Sequence, residues 1–252
     1  MTHSMRMYSL QIPGLLFCIL FGFAGPSLVS AESQDQVSIA GGEVKMGSTL
    51  CSDQFGNADW CSDETVHTVR INPFMIDKYE VTNEAYKACF AEGVCGPNEL
   101  HDSRPDDFNK PRQPVMFVTW EDAQTYCKWK GGRLPTEAEW ERAAQADFSG
   151  EAVFGQKYNV GAPSEVGSVS PSSNGIFDMF GNVAEWTADW YAPYPTGETQ
   201  ENPSGPKEGK DKVIRGGSWT SAWYQLRASD RVARTPDLRY SDLGFRCIRE
   251  MK

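Results

Sequence analysis

The chain is short of the residues that most often carry chemistry. It has three histidines, and His3 falls in a leader-like first segment, so His67 and His101 are what remains. That leaves few parts for a histidine-held metal oxygenase or a Ser-His-Asp hydrolase. No CxxC pair is present, which argues against a four-ligand zinc site built from Cys51, Cys61 and His67. No glycine-rich phosphate loop follows a strand. From Ser218 to Arg246 there is no cysteine at all. Positive charge is also scarce: Lys and Arg total 24 against 34 Asp and Glu, a net charge of −10. Nucleic acid and anionic lipid both demand a basic surface, so neither is an expected partner.

Long apolar runs are confined to the first thirty residues. Met1–Ser9 carries Arg6 and no acid, "LLFCILFGFA" (Leu15–Ala24) is continuously apolar, and Val29-Ser30-Ala31 supplies small residues before Glu32. This three-part plan predicts a secretory signal over 1–31 and one domain over 32–252. The apolar run is shorter than a comfortable membrane span, so no span is expected after cleavage. The expected location is extracytoplasmic, secreted or periplasmic.

Export changes how the cysteines read. Cys18 leaves with the signal, and six remain: Cys51, Cys61, Cys89, Cys95, Cys127 and Cys247. An even number in an oxidising compartment favours disulfides. Cys51 with Cys61 and Cys89 with Cys95 are close enough to close short loops, leaving Cys127 for Cys247. That long bridge would stabilise by about 4–5 kcal/mol on the chain-entropy account.

What the chain has in quantity is short elements and turns. Residues 37–48, "VSIAGGEVKMGS", predict a strand or hairpin punctuated by Gly41-Gly42. The segment 51–65 is polar and turn-rich, a predicted surface loop. "HTVRINPFMIDKYEVTN" alternates as strands do, and Thr82 or Asn83 can cap a following helix. In "VTWEDAQTYCKWKGG", Thr119 pairs with Asp122 as a cap and Gly131-Gly132 ends the helix. "LPTEAEWERAAQA" holds a capping box, Thr136 with Glu139, and buries Ala138, Trp140, Ala143 and Ala144. After Ala146 periodicity fades into Gly, Ser, Asn, Pro and aromatics, with strand-like pieces at "KVIRGGSW" and "LGFRCIRE". The expectation is an α+β domain with little regular secondary structure, held by tryptophans, buried polar contacts and disulfides.

The succession "GGEVKMGS", "FMIDKYEVTNEAY", "PVMFVTWEDAQTYCKWKGGRLPTEAEWERAA", "NGIFDMFGNVAEWTADW", "VIRGGSW" and "LGFRCIRE" resembles the formylglycine-generating enzyme (sulfatase-modifying factor) family, in order and over nearly all of 37–252. The resemblance implies a C-type-lectin-like α+β fold. It also implies a copper(I) and dioxygen reaction that turns the cysteine of a Cys-x-Pro-x-Arg segment into formylglycine. Two thiolates hold the soft Cu(I) there, a task hydroxyl and alkyl groups cannot do. Here the matching positions fall at or beside Ser221 and Leu226, in a stretch without cysteine, so copper is not expected. Cys127 and Cys247 match a structural disulfide of the family.

The resemblance further implies a calcium site around "GNVAEW", with Asn182, Val183 and Glu185 as oxygen donors, hard ligands of the kind Ca²⁺ takes. A second site would involve Asn159 and Val160, where the following loop lacks an acidic partner. Trp186, Trp190, Trp219 and Trp223 read as core or as a ligand groove. Arg227, Arg231 and Arg234, with Asp230 and Asp237, read as structural ion pairs or as an anion site. His101 reads as a surface loop residue, and His67 as packed beside a strand. Two functions stay open. One is a non-catalytic scaffold that binds a protein, peptide or glycan through the face around Ser221–Arg231. The other is an enzyme that oxidises or otherwise modifies a protein or peptide.

Overall fold

The computed structural model describes residues 35–54, 60–98, 101–146, 150–195 and 197–251, with only the backbone of Cys51 and Ser52. The expected leader over 1–31 lies outside the described residues. The rest of the chain, Glu32–Lys252, forms one compact unit.

Among the described residues, three small sheets, five short α-helices and a 3-10 turn at Trp223–Gln225 make up the regular structure. β1 (Gln36–Ile39) and β10 (Ile248–Glu250) flank β4 (Phe74–Asp77), so the two ends of the domain close on one strand. β3 (His67–Ile71) lies between β2 (Gly42–Met46) and β6 (Gln200–Glu201). A third sheet runs β8-β7-β5-β9, from β5 (Ala184–Trp190), β7 (Lys212–Arg215), β8 (Arg231–Arg234) and β9 (Leu243–Gly244). Residues 37–48 therefore do not form a hairpin. β1 and β2 join different sheets, because Gly41 packs so closely on the Ile71–Pro73 backbone that a β-carbon would meet it at 2.6 Å.

The helices follow the capping chemistry. α1 (Leu50–Gln54) and α3 (Pro105–Phe108) are single turns. Thr82 caps α2 (Asn83–Ala91) by accepting the Ala85 N–H. Thr119 and Asp122 form the capping box of α4 (Trp120–Trp129), and Gly131 follows at positive φ. Thr136 and Glu139 do the same for α5 (Glu137–Ala144). Such caps contribute about 1 kcal/mol each.

Disulfides pin the α2–α4 side of the molecule. Cys89–Cys95 closes the end of α2, and Cys127–Cys247 ties α4 to the segment before β10. Cys61 is also bonded in a disulfide, while the side chain of Cys51, its expected partner, lies outside the described residues.

The main core gathers Tyr86, Tyr126, Trp186 and Phe245 around Cys127 and Cys247. A second packs α5, through Trp140 and its alanines, on the first two sheets. Trp186 and Trp219 are fully buried; Trp190 is half-buried and Trp223 is 67% exposed. The four tryptophans thus divide between core and surface.

Candidate functional site

The segment Arg215–Arg231 leaves β7, turns at Gly216-Gly217 and returns to β8. Both glycines sit at positive φ, +91° and +69°, a region that bulky residues avoid. At Gly217 a β-carbon would stand 2.9 Å from Leu226 Cδ2 and 3.3 Å from Ser221 Oγ. The two positions where copper thiolates are expected thus converge on one point. The two positions carry a hydroxyl and an alkyl group.

Ser221 Oγ is spent on the local turn. It accepts the Ser218 N–H at 2.9 Å, while Ser218 Oγ bonds Thr220 Oγ1, which donates to Asp242 Oδ2. Ser218, Ser221 and Asp242 wall a cavity of only about 40 Å³ that also touches Asp230 and Gln225. Asp230 and Gln225 reach through to an outer groove of about 380 Å³ lined by Trp60, Asp63, Tyr191 and Tyr224.

Beneath the segment lies a buried network of carboxylates and guanidiniums. Arg215, with a side chain 0% exposed, donates to Glu137 at 3.0 Å and to Glu141. Arg231 donates to both Glu137 oxygens at 2.8 Å, and its guanidinium sits 3.9 Å from the Tyr194 ring centre. Arg227 forks onto Glu64 and reaches Asp230 at 3.0 Å. Arg227 and Arg231 are therefore structural ion pairs with no free guanidinium for an anion. Arg234 lies over the Tyr240 ring and bonds the Ala233 carbonyl. Burial pushes Asp230 up to about 7, with Arg227 opposing and Glu64 adding to the rise.

Segment 51–65 proves more than a surface loop, since Cys61 and Glu64 are buried and Glu64 anchors Arg227. The sequence signal for the network was in "TEAEWE", where Glu137 and Glu141 share one helix face with buried alanines. His67 opens β3 and packs against Tyr194, with ring centres 4.2 Å apart and the planes tilted by 46°. His101 is stacked on Phe108 and accepts the Arg104 N–H, so it is part of a packed corner.

The calcium positions lie behind this segment. Asn182, at φ +56°, accepts the Ser164 N–H on Oδ1 and donates to Glu80. Val183 donates its N–H to Glu80. Glu185 accepts Trp140 Nε1–H at 2.8 Å and is gripped by Arg246 at 2.7–2.9 Å. The side-chain oxygens named for a cation thus have partners already. Asp178, at φ +56° in the same loop, differs: its Oδ1 is buried with no hydrogen-bond partner among the described residues. Glu80, Asp178 and Glu185 together face a single guanidinium, Arg246. Burial holds Glu80 well above the usual carboxylate range, and the charges of Asp178 and Glu185 add to it. An orphaned buried oxygen in an acidic surplus fits a hard cation, with Asp178 as its free ligand.

Among the described residues no three His, Cys, Asp or Glu groups form a metal cluster on their own, so backbone oxygens would have to complete such a site. At Asn159-Val160 the fit fails, because Arg104 already donates to the Tyr158 and Val160 carbonyls.

A profile of the sulfatase-modifying factor enzyme 1-like domain matches residues 24–251. The chain belongs to the sulfatase-modifying factor family. It is 31% identical to the formylglycine-generating enzyme of Streptomyces coelicolor over 90% of this chain and 92% of that one. It also matches mammalian formylglycine-generating enzymes, of which it spans about half the length. Among solved structures, Treponema denticola variable protein 1 superposes with a TM-score of 0.71 at 26% identity, covering 86% of this chain and 95% of that one. PvdO from Pseudomonas aeruginosa does so with a TM-score of 0.71 at 27% identity, over 86% and 94%. The α+β fold expected from the family's sequence blocks is the fold observed.

Proposed function

We propose that this member of the sulfatase-modifying factor family is a polypeptide-binding or accessory protein, and that it does not generate formylglycine through thiolate-held copper. The observation that carries this reading is the convergence of Ser221 Oγ and Leu226 Cδ2 on Gly217. Cu(I) is a soft ion that selects thiolate and thioether donors; a hydroxyl is hard and an alkyl group donates nothing.

Recognition is supported by the same segment. Trp223 stands 67% exposed between the two former ligand positions, beside Tyr224, which packs on Trp60 at 5.0 Å. An exposed tryptophan beside a half-buried tyrosine, on a loop held by a rigid network, is a typical anchor of a binding surface.

An extracytoplasmic setting is part of the proposal. Disulfides persist where the compartment is oxidising, and this domain has them. Among the described residues no helix is long and apolar enough to cross a membrane. Calcium belongs to the proposal as a structural ion in the 178–185 loop, held by Asp178 with backbone oxygens, which would neutralise the acidic surplus there. It would supply rigidity to the loop and no chemistry.

The reading is tested by competing the purified chain against a chromophoric Cu(I) chelator, with the Streptomyces coelicolor relative alongside. The chain is expected to leave the chelator's copper in place. Tight, stoichiometric Cu(I) capture that depends on Ser221 or Leu226 would overturn it.

A further inference from the structure

β8 is the outer strand of the four-stranded sheet, and the register shows which of its peptide groups the sheet leaves unused. Val213 of β7 turns its carbonyl toward β5, where Thr187 Oγ1 donates to it at 3.0 Å. Successive residues of a strand face opposite neighbours, so Lys212 and Ile214 are the residues that exchange hydrogen bonds with Arg234 and Val232. The peptide groups of Arg231 and Ala233 therefore point away from the sheet. The Ala233 carbonyl agrees with this, since it accepts the Arg234 guanidinium at 3.2 Å instead of a strand. The Ala233 N–H meets no acceptor among the described residues.

Natural edges are blunted by proline, by exposed lysine, by a bulge or by a covering segment. β8 shows none of the first three. Its two arginines are committed, Arg231 to Glu137 and Arg234 to its own strand and the Tyr240 ring. Val232 and Ala233 line a groove of about 380 Å³ together with Trp60, Asp63 and Tyr224.

We propose that this groove takes an extended polypeptide segment, added to β8 as a fifth strand of the sheet. The proposal rests on the polypeptide-binding reading above and says how that binding is made. A peptide backbone presents an outward donor and acceptor about every 7 Å, which is the spacing from Arg231 to Ala233 along β8. The aromatic side chains that line the groove then receive alternate side chains of the guest. The chain's charge of −10 and the partly exposed Asp63 carboxylate disfavour an acidic segment.

The test begins with a phage-displayed library of short random peptides selected on the full-length chain. A selected peptide is synthesised and its Kd is measured by calorimetry. Ala233→Pro removes the outward N–H without touching the ladder to β7, and it is expected to weaken binding about tenfold or more. Ala233→Val keeps the N–H, so its Kd separates the loss of the N–H from a change of side chain in the groove. A scan of backbone N-methylation along the peptide is expected to weaken binding at every second residue, and it decides the matter if Ala233→Pro does not fold. Peptides that bind both variants equally, with no alternation in the N-methyl scan, would overturn strand addition and leave the binding reading standing. If the chain selects no peptide at all, both fall.

Discussion

Arg246 and Glu185 form an ion pair with both side chains almost wholly out of water, 2.7 Å apart at the closest. The pair links the "GNVAEW" loop to the "GFRC" strand end, and Arg246 also donates to the carbonyls of Asp77, Lys78 and Phe177. One guanidinium thus ties three chain segments together. Its placement explains why both blocks are needed for the fold, whatever chemistry the molecule performs.

Breaking such a pair leaves a buried charge unmatched, at a cost of about 3–5 kcal/mol. Glu185→Gln is therefore expected to lower unfolding stability by about that amount in a urea titration. A loss below about 1 kcal/mol would show that the pair is not the tie described.

Asp189 supplies a pH dependence. Burial lifts its carboxyl to about 7, and neighbouring Glu137 adds to the rise. The folded state then keeps a proton that the unfolded chain releases near pH 4, so stability falls as pH rises from about 4 to about 7. Asp189→Asn cannot ionise and can still accept the Glu137 N–H. The variant is expected to be more stable than the parent at pH 8, by about 2 kcal/mol, with the gap closing below about pH 5. Thermal melts at both pH values check this, and a gap that widens in acid would contradict it.

Calcium is expected to raise the melting temperature through Asp178. A ligand at a hundredfold over its Kd stabilises by about 2.7 kcal/mol. Asp178→Ala is expected to remove the calcium response in differential scanning fluorimetry. A full response in that variant would place the ion elsewhere.

Restoring the donors tests the geometry of the former ligand pair. Ser221→Cys with Leu226→Cys is expected to gain Cu(I) binding in the chelator competition, since both side chains close on Gly217. Either single substitution should bind far more weakly. No gain in the double variant would mean that the two positions do not converge closely enough.

The three longer helices, α2, α4 and α5, were legible because their signals are local, whereas the single turns α1 and α3 fall in or beside stretches read as loops. Thr82, Thr119 and Thr136 lie next to the backbone N–H groups they cap, so sequence spacing alone places them. The strand β8 and the Glu137–Arg215–Arg231 network were not legible. The partners in the network lie 74 to 94 residues apart, and no short-range period records such pairings. In the "GNVAEW" loop the side-chain oxygens of Asn182 and Glu185 have partners, and the buried oxygen left without one belongs to Asp178, four residues before Asn182. Which oxygens stay free depends on Arg246 and Ser164, and both come from outside the motif.

The most direct test of the central claim is mass spectrometry of a Cys-x-Pro-x-Arg peptide incubated with the full-length chain, copper, dioxygen and a reductant, with the Streptomyces coelicolor relative run in parallel. The account predicts an unchanged peptide with this chain while the relative converts its own. Conversion of the cysteine to an aldehyde by this chain would contradict it and would require a copper site that uses neither Ser221 nor Leu226.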